Sequence, residues 1–89
     1  MINTHDKFKI IEIAKKYGIS RVLLFGSSIE KNTESNDIDI AIEGIDASRF
    51  FKFYSELILN LSKPVDVVDL NHSTKLNDII LSEGLQLYG

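Results

Sequence analysis

The stretch DIDIAIE at residues 37–43 decides the fold, because its side chains alternate between two environments. In an extended strand, successive side chains point to opposite faces, so every second residue shares a face. The three isoleucines of the stretch therefore lie on one face, which suits a buried core, and its two aspartates lie on the other. The stretch predicts a strand with one apolar face and one face that carries the carboxylates of Asp37 and Asp39.

Five further segments carry periodic patterns. Two runs rich in apolar and β-branched residues predict strands, and apolar residues at helical spacing predict three helices. The predicted strands span residues 20–25, 37–43 and 65–70, and the predicted helices span residues 4–17, 47–61 and 74–83. The helix residues expected to be buried include Phe53, Ile58, Leu76, Ile79 and Ile80. We expect an α+β fold, with a three-stranded mixed sheet and flanking helices, in a single domain over residues 1–89.

The lengths of the connections predict the strand directions. Between the second and third predicted strands lie 21 residues (44–64) that contain a helix, which is typical of a parallel, right-handed crossover. Only 11 residues (26–36) separate the first two strands, so these two should be antiparallel. The end of the first strand and the starts of the other two then meet at one edge of the sheet. Gly26, Asp37, Asp39 and Asp66 share this edge.

The carboxylates at this edge have the chemistry of a divalent-metal site. Asp37 and Asp39 have Cα atoms roughly 6.5 Å apart on one face, and such a pair alone is more often a solvated strand face. Asp66 begins the adjacent parallel strand and adds a third carboxylate, whereas Asp69 falls on the opposite face and at the far end of that strand. Oxygen ligands favour Mg²⁺, with Mn²⁺ as an alternative, and a two-ion site suits phosphoryl or nucleotidyl transfer.

The residues after the first strand suit a phosphate group. Gly26 lets the backbone approach a phosphate without an intervening Cβ atom. Ser27 and Ser28 open a segment whose free N–H groups and hydroxyls attract anions. Taken alone, the two serines are typical of a turn or a cap. Their position beside the carboxylates favours the interpretation as a phosphate-binding segment.

Composition excludes several other functions. With no cysteine, the chain has no disulfide, thiolate metal site or thiol catalysis. Ten basic and thirteen acidic residues give a formal net charge of −3, and the basic residues are scattered, so a nucleic-acid duplex is not an expected partner. No apolar run approaches the ~20 residues of a membrane helix, and the N-terminus has no signal-peptide pattern. We therefore expect a cytoplasmic protein with no membrane partner.

Taken together, these motifs resemble a known family. LFGS at residues 24–27, DIDI at residues 37–40 and VDVVDL at residues 65–70 are similar to the minimal nucleotidyltransferases (MNT) of the DNA polymerase-β superfamily. The resemblance implies a polymerase-β-like palm core in which Gly26 and Ser27 hold a nucleoside triphosphate. It also implies that Asp37 and Asp39 ligate two Mg²⁺ ions and that Asp66 is the third ligand and the base.

The same resemblance implies a reaction and a partner. Family members of this size are often paired with a small helical HEPN-domain protein in a toxin–antitoxin system. Some of them transfer AMP from ATP onto a tyrosine of that partner. We therefore expect a Mg²⁺-dependent nucleotidyltransferase that moves a nucleoside monophosphate, AMP from ATP, to a hydroxyl acceptor and acts as an antitoxin.

One departure from the family keeps an alternative open. Where the family commonly has a small residue, Arg and Gly after its Gly-Ser, this chain has IEK at residues 29–31. Cationic help to a triphosphate would then come from Lys31 or Lys63. The altered loop favours the alternative of a catalytically weak or inactive antitoxin that neutralises its partner by direct association. A third hypothesis is the nucleotide-binding part of a split transferase. The apolar tail at residues 85–88 adds surface suited to a homo- or hetero-oligomer.

Overall fold

The computed structural model describes residues 2–26 and 36–89 and has the expected α+β class. In these two ranges, three helices and four strands follow one another along the chain. They are α1 (Thr4–Lys16), β1 (Arg21–Leu24), β2 (Ile38–Glu43), α2 (Ala47–Asn60), β3 (Val65–Asp69), α3 (Lys75–Glu83) and β4 (Leu85–Tyr88).

The strands form one mixed sheet in the order β3-β2-β1-β4. β2 and β3 are parallel, and β1 and β2 are antiparallel, as the connection lengths predict. The end of β1 and the starts of β2 and β3 therefore lie at one edge of the sheet.

β4 is the one strand that the sequence interpretation misses. The segment expected to be an apolar tail pairs antiparallel with β1, so the sheet has four strands rather than three. The run is short and only partly apolar, so its own pattern is weak. The open hydrogen-bonding edge of β1 supplies the partner that makes it a strand.

The two faces of the sheet are covered to different extents. On one face, the isoleucines of β2 pack with α1 and α2 around Ile10, Phe53 and Leu57, which are all buried. On the other face, a small second cluster joins Leu23 and Ala41 to Ile80 of α3. Since side chains alternate along a strand, Asp39 lies on this second face with Ala41. The carboxylate face is therefore only partly covered by α3.

Several apolar helix residues predicted to be buried are exposed. Ile58 of α2 and Leu76 and Ile79 of α3 have exposed fractions of 58%, 53% and 54%. The buried residues of α2 are Phe53 and Leu57, and Ile58 lies about 100° around the helix from Leu57. α3 packs on the small second cluster mainly through Ile80, which leaves its remaining apolar side chains outside.

Local signals account for where the helices begin and end. Asn3 caps α1, because its Oδ1 accepts a hydrogen bond from the N–H of Asp6 at 2.8 Å. Gly18 follows α1 with a φ of +69°, the left-handed conformation that ends many helices. Thr74 caps α3 through a hydrogen bond from the N–H of Asn77. Within the described ranges, no helix combines the length and apolarity needed to cross a membrane.

Candidate active site

Two of the three predicted carboxylates lie side by side on adjacent strands. In the parallel pairing of β2 and β3, Asp39 is the register partner of Asp66. Strands in a sheet lie about 4.8 Å apart, so these two side chains leave the same face within reach of one ligand. Asp37 lies two residues before Asp39, just outside β2 and exposed. The sheet thus brings all three positions to one edge.

Asp69, the competing candidate, lies elsewhere. Its register partner is Ile42, at the opposite end of β3 from Asp66. Its Oδ1 accepts a hydrogen bond from the N–H of Asn71 at 2.9 Å, so it holds the turn after β3. The geometry therefore supports Asp66 rather than Asp69 as the third carboxylate.

Gly26 makes a close approach to Asp39 possible. A Cβ atom on Gly26 would lie 2.9 Å from Oδ2 of Asp39, closer than real side chains come. Gly26 also has a φ of +61°, a left-handed conformation that disfavours other residues. Just before it, the N–H of Phe25 donates to the Asp39 carbonyl at 3.1 Å, which extends the β1–β2 ladder. Glycine at this position keeps the end of β1 against the carboxylate.

Three carboxylates lie close enough at this edge of the sheet to change the pKa of Asp39. Burial raises the pKa of the Asp39 carboxyl above its ordinary value, and the negative charges of Asp66 and Asp37 raise it further. The three carboxylates therefore act on one another as well as sharing a face. A bound cation would relieve both the repulsion and the loss of hydration.

The fit to a divalent metal rests on the donor set. Within residues 2–26 and 36–89, no three His, Asp or Glu side chains are gathered so that they could hold a metal ion as they stand. The expected convergence therefore holds for the strand positions and not for the carboxylate atoms. The strand register still places the Cα atoms of Asp39 and Asp66 side by side, within reach of one cation for suitable side-chain rotamers. Oxygen-only donors of this kind suit Mg²⁺ or Mn²⁺.

The start of β3 is fixed by contacts that sequence reasoning did not assign to the site. The Tyr54 hydroxyl of α2 donates to the Val65 carbonyl at 2.7 Å, directly before Asp66. Burial, and then the charge of Asp66, raise the pKa of the Tyr54 hydroxyl, in keeping with that proximity. In the sequence, Tyr54 was interpreted only as part of an apolar stripe. A buried tyrosine hydroxyl usually has a hydrogen-bond partner, so its position on the helix before β3 could have indicated a contact with that strand.

A buried carboxylate of α1 holds the segment that leads into the same strand. Asp6 of α1 is almost fully buried and accepts hydrogen bonds from the N–H and hydroxyl of Ser62, at 3.0 and 2.5 Å. The Pro64 carbonyl in turn accepts from the N–H of Ile38 at 2.8 Å. The segment before Asp66 is thereby tied to both α1 and β2.

The remaining predicted site residues have different outcomes. Ser27 and Ser28 lie outside the described residues. Lys63 is partly buried in the turn before β3, at the same edge of the sheet as Asp66, beside Pro64. Its role towards a nucleotide stays a prediction.

A sheet edge with paired carboxylates beside a glycine turn defines the class of palm-like nucleotidyltransferase domains. Residues 8–89 match the family Polymerase beta, Nucleotidyltransferase, and the chain belongs to that family. No curated protein matches the sequence.

Solved structures extend the comparison. A crystal structure of a toxin–antitoxin with AMP-PNP contains a chain 31% identical, with a TM-score of 0.76, over 93% of this chain and 73% of that one. The toxin–antitoxin MntA-HepT contains a chain 28% identical, with a TM-score of 0.74, over 98% and 73%. A tri-AMPylated HEPN toxin in complex with MNT antitoxin, from Shewanella oneidensis, contains a chain 30% identical, with a TM-score of 0.72, over 94% and 70%.

Proposed function

We propose that this chain is the antitoxin of a toxin–antitoxin pair and transfers AMP from ATP to a tyrosine hydroxyl of a HEPN-domain partner. The observation that carries the proposal is the register pairing of Asp39 with Asp66 beside Gly26. Two similar structures support the choice of nucleotide and acceptor, since one contains AMP-PNP and another contains an AMPylated HEPN toxin.

In this proposal the three carboxylates have distinct roles. Asp37 and Asp39 hold two Mg²⁺ ions, and Asp66 completes the ligand set from the adjacent strand. When bound, Mg²⁺ supplies positive charge that offsets the phosphate and carboxylate anions and lowers the pKa of an acceptor hydroxyl. Mn²⁺ has the same ligand preference and would substitute.

Asp66 also accepts the proton of the acceptor hydroxyl. The acceptor oxygen forms a bond to the α-phosphorus of ATP, the bond from that phosphorus to the bridging oxygen of the β-phosphate breaks, and pyrophosphate leaves. Asp66 is exposed, so a proton that it accepts can pass on to water. Removal of this proton by a positioned carboxylate contributes typically 10²- to 10⁴-fold to a rate.

The nucleotide is held at Gly26 and by the residues that follow it in the sequence. Gly26 presents its backbone to the phosphates, and the roles proposed for Ser27 and Ser28 from the sequence are hydroxyl and N–H donation. Lys63 supplies positive charge near the start of β3. In this proposal the HEPN-domain partner presents the acceptor hydroxyl to the carboxylates.

The test is a transfer assay with labelled ATP, Mg²⁺ and the HEPN partner encoded beside this chain. We expect the wild-type chain to label the partner, and Asp37→Asn/Asp39→Asn to abolish labelling. Asp66→Asn should lower the rate by about 10²-fold or more. Asp69→Asn is the matched control, since it removes the same charge at the other end of β3, and it should label at the wild-type rate. Equal labelling by the wild type and the double variant would overturn the proposal.

A second candidate function is an antitoxin that neutralises its partner by association alone. Two observations favour it: the IEK sequence at residues 29–31 lacks the family's arginine, and the described carboxylates form no ready three-ligand cluster. Growth rescue of toxin-expressing cells separates the two candidates. Rescue that is lost in the double aspartate variant supports enzymatic neutralisation, and rescue that survives supports association.

A further inference from the structure

A cavity opens on the carboxylate face of the sheet, between the end of β1 and α3. Its volume is about 240 Å³. Phe25 and Gly26 line it from the β1 side, and Leu76, Ile79 and Glu83 line it from α3. Gly26 is thus shared between this cavity and the carboxylate edge, because its other side faces Asp39.

The lining chemistry does not suit a phosphate. The walls are aliphatic and aromatic carbon, contributed mostly by Phe25, Leu76 and Ile79. Among the described lining residues, the charged group is the carboxylate of Glu83, which would repel an anion. No hydrogen bond or ion pair joins Glu83 to another described residue, and its two carboxylate oxygens are hydrogen-bond acceptors.

The same chemistry suits a flat, uncharged heterocycle with an amino group. Apolar side chains and an aromatic ring stack on a nucleobase, and a carboxylate accepts hydrogen bonds from an exocyclic amine. Pockets for whole drug-sized ligands run from about 300 to 1,000 Å³, so a cavity below that range fits a base better than an entire nucleotide.

We propose that this cavity binds the nucleobase of the nucleoside triphosphate, with Glu83 accepting a hydrogen bond from the exocyclic amine of adenine. This inference rests on the proposed function, since it needs the triphosphate to lie at Gly26 and the carboxylates. Leu76 and Ile79 are then exposed because they contact the substrate rather than the core. α3 becomes the element that selects the base.

The test compares ligands with and without a base on the full chain. Equilibrium binding is measured in Mg²⁺ buffer without an acceptor, using ATP, inosine triphosphate and inorganic tripolyphosphate. Ile79→Asn places a polar, uncharged group in the cavity and should weaken ATP about tenfold while leaving tripolyphosphate unchanged. Glu83→Gln should shrink the preference for ATP over inosine triphosphate, because inosine lacks the amino group. Leu81→Asn is the matched control on the exposed side of α3, outside the cavity, and it should change none of these affinities.

The outcomes separate this inference from the proposed function. The base-binding cavity is overturned if Ile79→Asn leaves ATP binding unchanged, or if it weakens the binding of tripolyphosphate as much as that of ATP. Normal ATP binding with slower transfer to the partner would assign the cavity to the acceptor side chain, which also overturns it. Labelling of the partner that survives Asp39→Asn overturns the proposed function instead. A wild-type chain that binds no ATP overturns both.

Discussion

Gly26 lies close against the carboxylate of Asp39. The left-handed backbone of Gly26 and the 2.9 Å between its missing Cβ position and Asp39 Oδ2 mean that any side chain there pushes against the carboxylate. Two features therefore favour glycine at position 26: the left-handed backbone conformation and the closeness of the Asp39 carboxylate. Another glycine of the chain, Gly18, has the first requirement without the second, because nothing lies within 4 Å of its Cβ position.

That difference gives a prediction with an internal control. Gly26→Ala should cost about 1–2 kcal/mol in the free energy of unfolding and should also displace Asp39, so that AMP transfer falls sharply. Gly18→Ala carries the same backbone penalty, and we expect a similar loss of stability with transfer at the wild-type rate. Thermal unfolding and the labelled-ATP assay measure the two effects. Equal activity in the two variants would show that the contact with Asp39 is unimportant.

The raised pKa of Asp39 predicts a trade between stability and activity. The pKa of Asp39 is higher in the folded state than in the unfolded state. The folded state therefore loses stability as the pH rises from the unfolded-state pKa through the folded-state pKa. At neutral pH the wild-type chain carries this full penalty in the absence of metal. Asp39→Asn removes the charge, so it should raise the Tm at pH 7 and abolish transfer. The gain should disappear below the ordinary value of 3.8, where the carboxyl is protonated in both states.

Asp46→Asn controls for the change in net charge. Asp46 lies at the start of α2 and its side chain makes no capping hydrogen bond there, so asparagine should serve equally well. Melting curves at pH 7 and pH 3.5, in chelator, compare the variants with the wild type. A Tm for Asp39→Asn at or below that of the wild type at pH 7 would contradict the crowding of charge at this edge.

At the scale of elements, α2 has two tasks that its amphipathic pattern only partly reveals. Phe53 and Leu57 bury one side of it in the core, and Tyr54 ties the start of β3 through the Val65 carbonyl. The helix thereby supports the position of Asp66 from behind the sheet. Positioning and packing can be tested separately.

Removing the Tyr54 hydroxyl tests positioning. Tyr54→Phe keeps the ring, loses one hydrogen bond, and should cost about 1 kcal/mol in the free energy of unfolding. Because the bond holds the residue before Asp66, the rate of transfer should fall while the affinity for ATP stays near the wild-type value. Ser55→Ala, which removes a hydroxyl that bonds only within the exposed side of α2, should change neither. Transfer by Tyr54→Phe at the Ser55→Ala rate would remove Tyr54 from the site.

Two phenylalanines of α2 test packing. Phe53 is fully buried, and Phe51, two residues earlier, has 79% of its surface exposed. Phe53→Ala should cost about 3–5 kcal/mol by leaving a cavity in the core. Phe51→Ala should stay within about 0.5 kcal/mol of the wild type. Denaturant unfolding of both variants gives the comparison, and similar losses would contradict the orientation of α2.

The sequence predicts elements where the pattern and the packing agree. The alternation in β2 and the lengths of its two connections predicted the strand directions that place Asp39 beside Asp66. The pattern failed for β4, because its pairing depends on an open edge of β1 that sequence spacing does not reveal. The prediction that Leu76 and Ile79 are buried was also wrong. Apolar periodicity shows which side of α3 is apolar, but it does not show how much of that side the small second cluster covers. Tyr54 and Asp6 were missed because their polar contacts join segments far apart in the chain.

At the scale of the whole molecule, the described residues cover the two faces of the sheet differently. The apolar face packs on α1 and α2, whereas α3 is the described helix that covers part of the carboxylate face. In the proposed function, the acceptor hydroxyl approaches the carboxylates on this second face. A metal ion bound there would relieve the repulsion that the folded chain otherwise carries.

The most direct test of this account is the binding of Mn²⁺ alone to the full chain, followed by the loss of the free ion's electron paramagnetic resonance signal. The account predicts saturable binding by the wild-type chain, weakened about tenfold or more in Asp39→Asn and in Asp66→Asn, and unchanged in Asp69→Asn. Binding that is unaffected by Asp39→Asn, or that is lost equally in Asp69→Asn, would contradict the claim that the Asp39–Asp66 edge is the metal centre of this nucleotidyltransferase.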